Sequence, residues 1–138
     1  MQELAKEEIQ KGIILYRSDD EVAMNIRSYT LAFVKDRLVG YAALHIHTIK
    51  LAEIRSLIVD KNYRGQGIGK AIVKALLKEA KELFVKDVFT LTYEDKFFEK
   101  LGFKKIPKES LPEQKIWADC IKCKHFPICD EVSLIINL

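Results

Sequence analysis

Leu57-Ile-Val-Asp-Lys-Asn-Tyr-Arg-Gly-Gln-Gly-Ile-Gly-Lys70 leaves an apolar run, crosses three glycines spaced two apart, and enters a lysine-studded helical pattern. Gly65, Gly67 and Gly69 lack a β-carbon, so the backbone there can approach a ligand closely and reach positive φ. The first N–H groups of a helix starting at about Gly67 have no intrahelical acceptor. Together with the positive end of the helix dipole they form an anion site. Arg64 and Lys70 add full charges. Each helix-end charge is worth only about 0.3–1 kcal/mol, but several N–H donors and two cations converge on one spot. A pyrophosphate is the natural occupant, with Arg64, Gly65, Gln66, Gly67, Ile68, Gly69 and Lys70 around it. The plainer reading is a tight strand–helix turn. A Walker loop is excluded, because no Gly-Lys-Ser/Thr follows at the required spacing. The dinucleotide fingerprint is a rival, but it needs its third glycine one place later and an acidic ribose ligand after a second parallel strand, where Glu94 is the only candidate.

Upstream of this loop, Ala52–Val59 reads as a buried strand. Before it, Tyr29–Val34 and Leu38–Ile46 read as a hairpin with its turn at Asp36-Arg37. Leu4–Lys11 is a short helix capped by Gly12, and Ser18 offers an N-cap to a second helix over about Asp19–Arg27. Downstream, a helix over about Gly67–Phe84 carries Ile68, Ile72, Ala75, Leu76, Ala80 and Leu83 at helical spacing, with Lys70, Lys74, Lys78 and Lys81 on other faces. Val88–Thr92 is a further strand. A helix over about Asp95–Leu101 ends at Gly102 in a left-handed cap. Phe103–Ile106, Lys115–Ala118 and Val132–Ile136 close the sheet, and Pro107 and Pro112 bracket a loop. No repeat, low-complexity tract or linker interrupts the pattern. The expectation is one α/β (α+β) domain over residues 1–138 with a sheet of mixed strand direction, ending in a cysteine-bearing hairpin at about 115–138.

With 138 residues the chain is long enough to bury a continuous core. A net charge of +3 and a pI near 8.7 suit an anionic small ligand and are too weak to argue for nucleic acid. No apolar run approaches the ~18–20 residues of a membrane span, and the N-terminus lacks the apolar core of a signal peptide. A cytoplasmic protein without membrane contact is expected. The three cysteines are an odd count crowded together, which argues against a disulfide framework. Cys120, Cys123, Cys129 and His125 can be a zinc site, a redox-sensitive pair or packed reduced thiols, and no metal is assigned. His45 and His47 share one face of a strand and read as sheet residues rather than metal ligands.

Arg64-Gly-Gln-Gly-Ile-Gly resembles the Arg/Gln-x-x-Gly-x-Gly signature of the GNAT superfamily of acyl-CoA N-acyltransferases. The likeness extends to Gly40-Tyr-Ala-Ala-Leu, to Ala52-Glu-Ile-Arg-Ser-Leu-Ile-Val and to Phe97-Phe-Glu-Lys-Leu-Gly-Phe103, covering roughly residues 12–106. The resemblance implies a sheet with two central parallel strands that splay apart to admit acetyl-CoA. Backbone of Leu57, Ile58 and Val59 would then pair with the pantetheine, Arg64–Lys70 would hold the pyrophosphate, and Phe97 would lie against the cosubstrate. A narrower likeness is to the short, kinase-less N-acetylglutamate synthases. It rests on Leu15-Tyr-Arg-Ser, Phe89-Thr-Leu-Thr-Tyr and the tail Lys115-Ile-Trp-Ala-Asp-Cys-Ile-Lys-Cys, and it implies glutamate as acceptor in arginine biosynthesis. The chain departs from the family twice. It begins too late for the usual opening strand with its Ile-Arg-x-Ala pattern, an edge that a partner chain in a homodimer or a longer chain would supply. Phe98 also stands where many members have a tyrosine acid.

Amide formation needs an unprotonated amine, a polarised thioester carbonyl and a proton acceptor. Strand alternation puts Glu53, Arg55 and Leu57 on one face, and Glu53 is the candidate base, acting through water. Its plainer role is a salt bridge to Arg55 or Lys50. Tyr93 is the candidate acid, or it packs over the cosubstrate. Arg55, with Lys115 and Arg27 behind it, is the candidate for a substrate carboxylate, against simple surface solvation. Three readings follow: transfer to glutamate, transfer to another small amine or a protein N-terminus, and a non-catalytic acyl-CoA-binding or thiol-sensing module.

Overall fold

A computed structural model of the chain describes residues 26–107 and 132–138, together with Asp20 and Ala23. The two N-terminal helices, apart from those two positions and the end of the second, lie outside the described residues. So do the strand at Lys115–Ala118, the cysteine cluster with His125, and the region that bears on a missing opening strand. Ile26–Ser28 is a 3-10 turn where the sequence predicts the end of a helix.

The strands are β1 (Tyr29–Val34), β2 (Arg37–Ile46), β3 (Leu51–Val59), β4 (Asp87–Thr92), β5 (Lys104–Ile106) and β6 (Val132–Asn137), and the helices are α1 (Ile68–Glu82) and α2 (Asp95–Lys100). Among the described residues the strands form a six-stranded sheet in the order β1-β2-β3-β4-β6-β5. Only β3 and β4 run parallel; the other neighbours are antiparallel. The mixed α/β sheet expected from the sequence is therefore present.

The β1–β2 hairpin turns at Lys35 and Asp36, one residue before the expected Asp36-Arg37. Val34 pairs with Arg37, and φ is 48° at Lys35 and 67° at Asp36. Two left-handed central residues give the turn whose twist matches that of the flanking strands. Gly102 is left-handed at φ 101°, as its place after α2 predicts.

The stripe of α1 that faces the sheet is Ile72, Val73, Leu76 and Ala80, packed with Ala42, Leu44, Ala52 and Ile54. Val73 takes the place expected for Ala75, which is exposed. Ala75 lies roughly 100° of helical rotation from the middle of that stripe. Leu83 lies past the last helical residue and is exposed.

A second correction concerns β3. Tyr41 pairs with Ile58 but Ala43 with Arg55, so β3 carries one extra residue over that interval, and Ser56 has φ 60°. This β-bulge resets the alternation of side chains. Leu57 and Val59 turn to the core with Ala52 and Ile54, and Leu57 leaves the face that holds Glu53 and Arg55.

The pairing of β3 with β4 ends at Glu53 opposite Phe89. The Thr90 hydroxyl donates to the Ile54 carbonyl at 2.9 Å, satisfying the next buried acceptor across the join. Beyond that point β3 continues to Val59 and β4 to Thr92 with no further paired positions between them among the described residues. The two central strands splay, as the resemblance implies.

Candidate active site

Three features lie along β3 where it parts from β4: a polar cluster around Glu53 near its start, the backbone of Leu57–Val59, and the glycine loop that follows its end.

The loop is anchored at its base. Asp60 continues the ladder by donating its N–H to the Val39 carbonyl at 2.7 Å. Its carboxylate accepts from the Asn62 N–H at 2.9 Å, which caps the 3-10 turn Lys61–Tyr63, and from the Arg37 guanidinium at 3.2 Å. The Asn62 bond, then Arg37, holds the Asp60 carboxyl below the usual carboxylate range. Arg64 is extended, and its Nε donates to the Val59 carbonyl at 3.1 Å, tying the loop back to the strand it leaves.

Gly65 and Gly67 are left-handed at φ 79° and 82°, and a β-carbon added at either meets no atom within 4 Å. Both therefore face open space. Gly67 is the N-cap of α1 and brings no side chain to the first-turn amides of Ile68, Gly69 and Lys70, which have no intrahelical acceptor. Gly69 has a different reason to lack a side chain: a β-carbon there would come 3.3 Å from the Phe97 ring and 3.7 Å from Val59. Phe97 thereby rests on the helix start, edge-on to Phe98 at 5.1 Å. Gln66 and Lys70 are exposed and Ile68 is half-buried. An open set of amides at a helix start, flanked by Arg64 and Lys70, fits a diphosphate.

Glu53 is 1% exposed. Its register partners are His45 on β2 and Phe89 on β4. His47 Nε2 lies 3.0 Å from Glu53 Oε1. Arg55 Nη2 donates to His45 Nδ1 at 2.9 Å. The two imidazoles meet edge to face at 4.7 Å, and His47 lies 5.3 Å from the Phe89 ring. The pair expected to be bland sheet residues on one face does share a face, but both rings join the cluster. His47 is a partner of Glu53 that the salt-bridge expectation, Arg55 or Lys50, did not include. Among the described residues no group of three His, Cys, Asp or Glu side chains is arranged to hold a metal.

Tyr93 follows β4 with its hydroxyl buried. Phe98 is 2% exposed and packs edge-on against Phe103 at 5.2 Å, so the position of the family's tyrosine acid is a core position here. Arg27 is exposed in the turn before β1, away from this cluster in the sequence. Lys115 lies outside the described residues.

The profile of the Acetyltransferase (GNAT) family matches residues 3–103. An uncharacterized N-acetyltransferase of Chlorobaculum tepidum is 40% identical over 128 residues, covering 93% of this chain and 82% of that protein. The chain belongs to the acetyltransferase (GNAT) family. The expectation of an acetyl-CoA-dependent N-acetyltransferase of GNAT fold is borne out. The amino-acid acetyltransferase of Mycobacterium tuberculosis is 46% identical over 70 residues, covering 51% of this chain and 40% of that one. The Pasteurella multocida amino-acid acetyltransferase is 31% identical over 108 residues, covering 77% of this chain and 24% of its own. This GNAT chain thus spans most of the Chlorobaculum protein but less than half of those amino-acid acetyltransferases. The N-acetylglutamate synthase of Neisseria gonorrhoeae, complexed with coenzyme A and N-acetyl-glutamate, superposes with a TM-score of 0.87 at 21% identity over 99% of this chain and 32% of that chain, a shared fold. A Mycobacterium tuberculosis protein in complex with CoA superposes at 0.79 with 26% identity, over 96% and 91% of the two chains. Among the described residues no helix is long and apolar enough to cross a membrane.

Proposed function

We propose that this GNAT domain transfers acetyl from acetyl-CoA to the α-amino group of an amino acid, with L-glutamate as the acceptor, by direct attack within a ternary complex. The observation that carries the reading is a carboxylate, Glu53, buried at the vertex where β3 and β4 part. A base there lies where the thioester would enter between the strands. The relatives named amino-acid acetyltransferases support the acceptor class, and the fold shared with an N-acetylglutamate synthase supports glutamate within it.

In this reading the coenzyme's pyrophosphate lies on the amides of Gly65–Lys70 with Arg64 and Lys70 beside it, its pantetheine follows Leu57–Val59, and Phe97 lines its path. The β-bulge at Ser56 turns backbone out of the regular ladder next to the gap, offering an N–H to the developing oxyanion. The proton of the acceptor's ammonium passes to Glu53, directly or through water, and the nitrogen lone pair attacks the thioester carbonyl. The tetrahedral intermediate then expels the thiolate; Tyr93, with its hydroxyl buried just past β4, gives the thiolate a proton and regains one from the second N–H that the nitrogen loses on becoming an amide, while the proton on Glu53 passes to water. Arg55, oriented by His45, takes an acceptor carboxylate, with Lys115 as a second cation.

Thiol release from acetyl-CoA, followed across a panel of amino acids and small amines, tests the reading. Release with glutamate well above every other amine supports it. Release with a different amine removes glutamate, and coenzyme binding without release for any amine makes the domain non-catalytic. Glu53→Gln is expected to cut kcat by about 10²–10⁴-fold, the range for a lost general base, while leaving the Kd for CoA nearly unchanged. Unchanged kcat removes Glu53 from the mechanism.

A further inference from the structure

A base must be ionised before it can take a proton, yet Glu53 is almost wholly removed from water. A buried carboxylate takes up a proton unless hydrogen-bond donors or cations hold its charge. Among the described residues, the elements around it carry the following groups. β2 contributes His45, and the turn after β2 contributes His47. β3 contributes Arg55, two residues along the strand, and β4 contributes Phe89, which carries no charge.

The two histidines are sorted by their partners. A guanidinium only donates, so the bond from Arg55 Nη2 to His45 Nδ1 requires the lone pair on Nδ1 and the ring proton on Nε2. An imidazolium would present N–H at both positions, so His45 is held neutral as long as that bond lasts. His47 is held by different neighbours. Its Nε2 meets Glu53 Oε1 at 3.0 Å, its ring is clamped between His45 and Phe89, and its side chain is only 9% exposed. With Glu53 ionised, as a base must be, its oxygens only accept, so His47 Nε2 carries the proton and donates.

We propose that His47 is a positioning residue that keeps Glu53 ionised and in one rotamer, while His45 stays neutral and sets the Arg55 guanidinium. The inference deepens, and rests on, the reading of Glu53 as the base. In the step itself the N–H bond of the acceptor's ammonium breaks, an O–H bond forms on Glu53, and the electron pair stays on nitrogen to attack the thioester. His47 gains and loses no proton there. It lowers the cost of the charge that Glu53 must carry beforehand.

The test is the pH dependence of kcat/KM in the full chain for His47→Leu and His47→Gln. Without the His47 N–H, Glu53 holds its proton to higher pH. The acidic limb for His47→Leu is therefore expected to move up by about one to two pH units, so that activity on the acid side of the wild-type limb falls about ten- to a hundredfold and recovers as the pH is raised. The KM for acetyl-CoA is expected to stay within about twofold, since only the base has changed. His47→Gln presents an amide N–H in similar reach and is expected to keep the limb close to its original place. A purely structural role would lower the melting temperature without moving the limb. A limb unmoved in His47→Leu, in a protein whose Glu53→Gln variant is inactive, overturns the role of His47 and leaves the base in place. A fully active Glu53→Gln variant overturns both. Should His47→Leu fail to fold, infrared difference spectra of wild type against Glu53→Gln decide the matter at neutral pH. The expected result is no protonated-carboxyl band from Glu53, and its presence overturns the inference.

Discussion

Gly67→Ala separates the loop's conformational requirement from its ligand contacts. Gly67 has φ 82°, and an added β-carbon meets nothing within 4 Å, so the new methyl clashes with no protein atom. The cost is the left-handed backbone itself, about 1–2 kcal/mol for a residue with a β-carbon. Restricting the unfolded chain returns about 0.4–1 kcal/mol. The net loss is roughly 0.5–1.5 kcal/mol, a fall in Tm of about 2–5 °C for a chain of this length. The effect on the ligand is larger. The methyl projects from the open face of the loop, and displacing one charge-assisted amide–phosphate bond costs about 1.5–3 kcal/mol. At about 1.4 kcal/mol per decade, the KM for acetyl-CoA rises about ten- to a hundredfold. Gly40→Ala is the contrast, because its β-carbon would lie 3.0 Å from the Ile58 carbonyl and 3.1 Å from Ile72, an overpacking of the α1–sheet contact. Its main effect is expected in Tm. Thermal melts and steady-state kinetics at saturating acceptor, run on both variants, separate the two effects. A Gly67→Ala protein with the small Tm loss and an unchanged KM would refute the reasoning, because the open loop face would then touch no ligand.

Thr90→Val keeps the side-chain shape but removes the hydroxyl that donates to the buried Ile54 carbonyl, and should cost about 1–3 kcal/mol in urea unfolding. A cost below a few tenths of a kcal/mol would mean that water satisfies that carbonyl. Acid sensitivity follows from Asp60 and Asp95, whose carboxyls are held low, Asp60 mainly by the Asn62 N–H and Asp95 mainly by Lys105. A folded-state pKa below the unfolded one contributes stability that is complete above the ordinary carboxylate range of about pH 4 and is lost as pH falls through the folded value. Asp60→Asn should accordingly flatten the acid side of a stability–pH curve, and an unchanged slope would contradict it. Lys105 is held high by Asp95 and Glu99, so its contribution is present at neutral pH and disappears only as strong alkali is reached.

Much of the fold was legible because its cues are local. α1 announced itself through helical spacing, and the strand spans from β1 to β4 through apolar runs between turn residues. The errors trace to features without a local marker. The bulge at Ser56 puts a serine at positive φ, a conformation whose usual signals are glycine or asparagine. Simple alternation therefore carried Leu57 to the wrong face. The hairpin turned at Lys35 and Asp36, which carry no glycine to mark a left-handed pair. The placement of β6 between β4 and β5 pairs segments far apart in sequence, which no local pattern encodes. At the site, the glycine loop was readable because its chemistry lies in consecutive residues. The His47–Glu53 contact was not, since it depends on how the β2–β3 hairpin is registered. One signal was available: His45 and His47 share a face, as do Glu53 and Arg55, and a short hairpin between them brings the two faces together.

The most direct test of the coenzyme loop follows the backbone amides of Gly65–Lys70 by ¹⁵N NMR as CoA is added to the full chain. Large shifts in those amides, saturating at the same concentration as the Leu57–Val59 signals, are the predicted result. CoA binding that shifts other amides and leaves the α1 start unmoved would contradict the account.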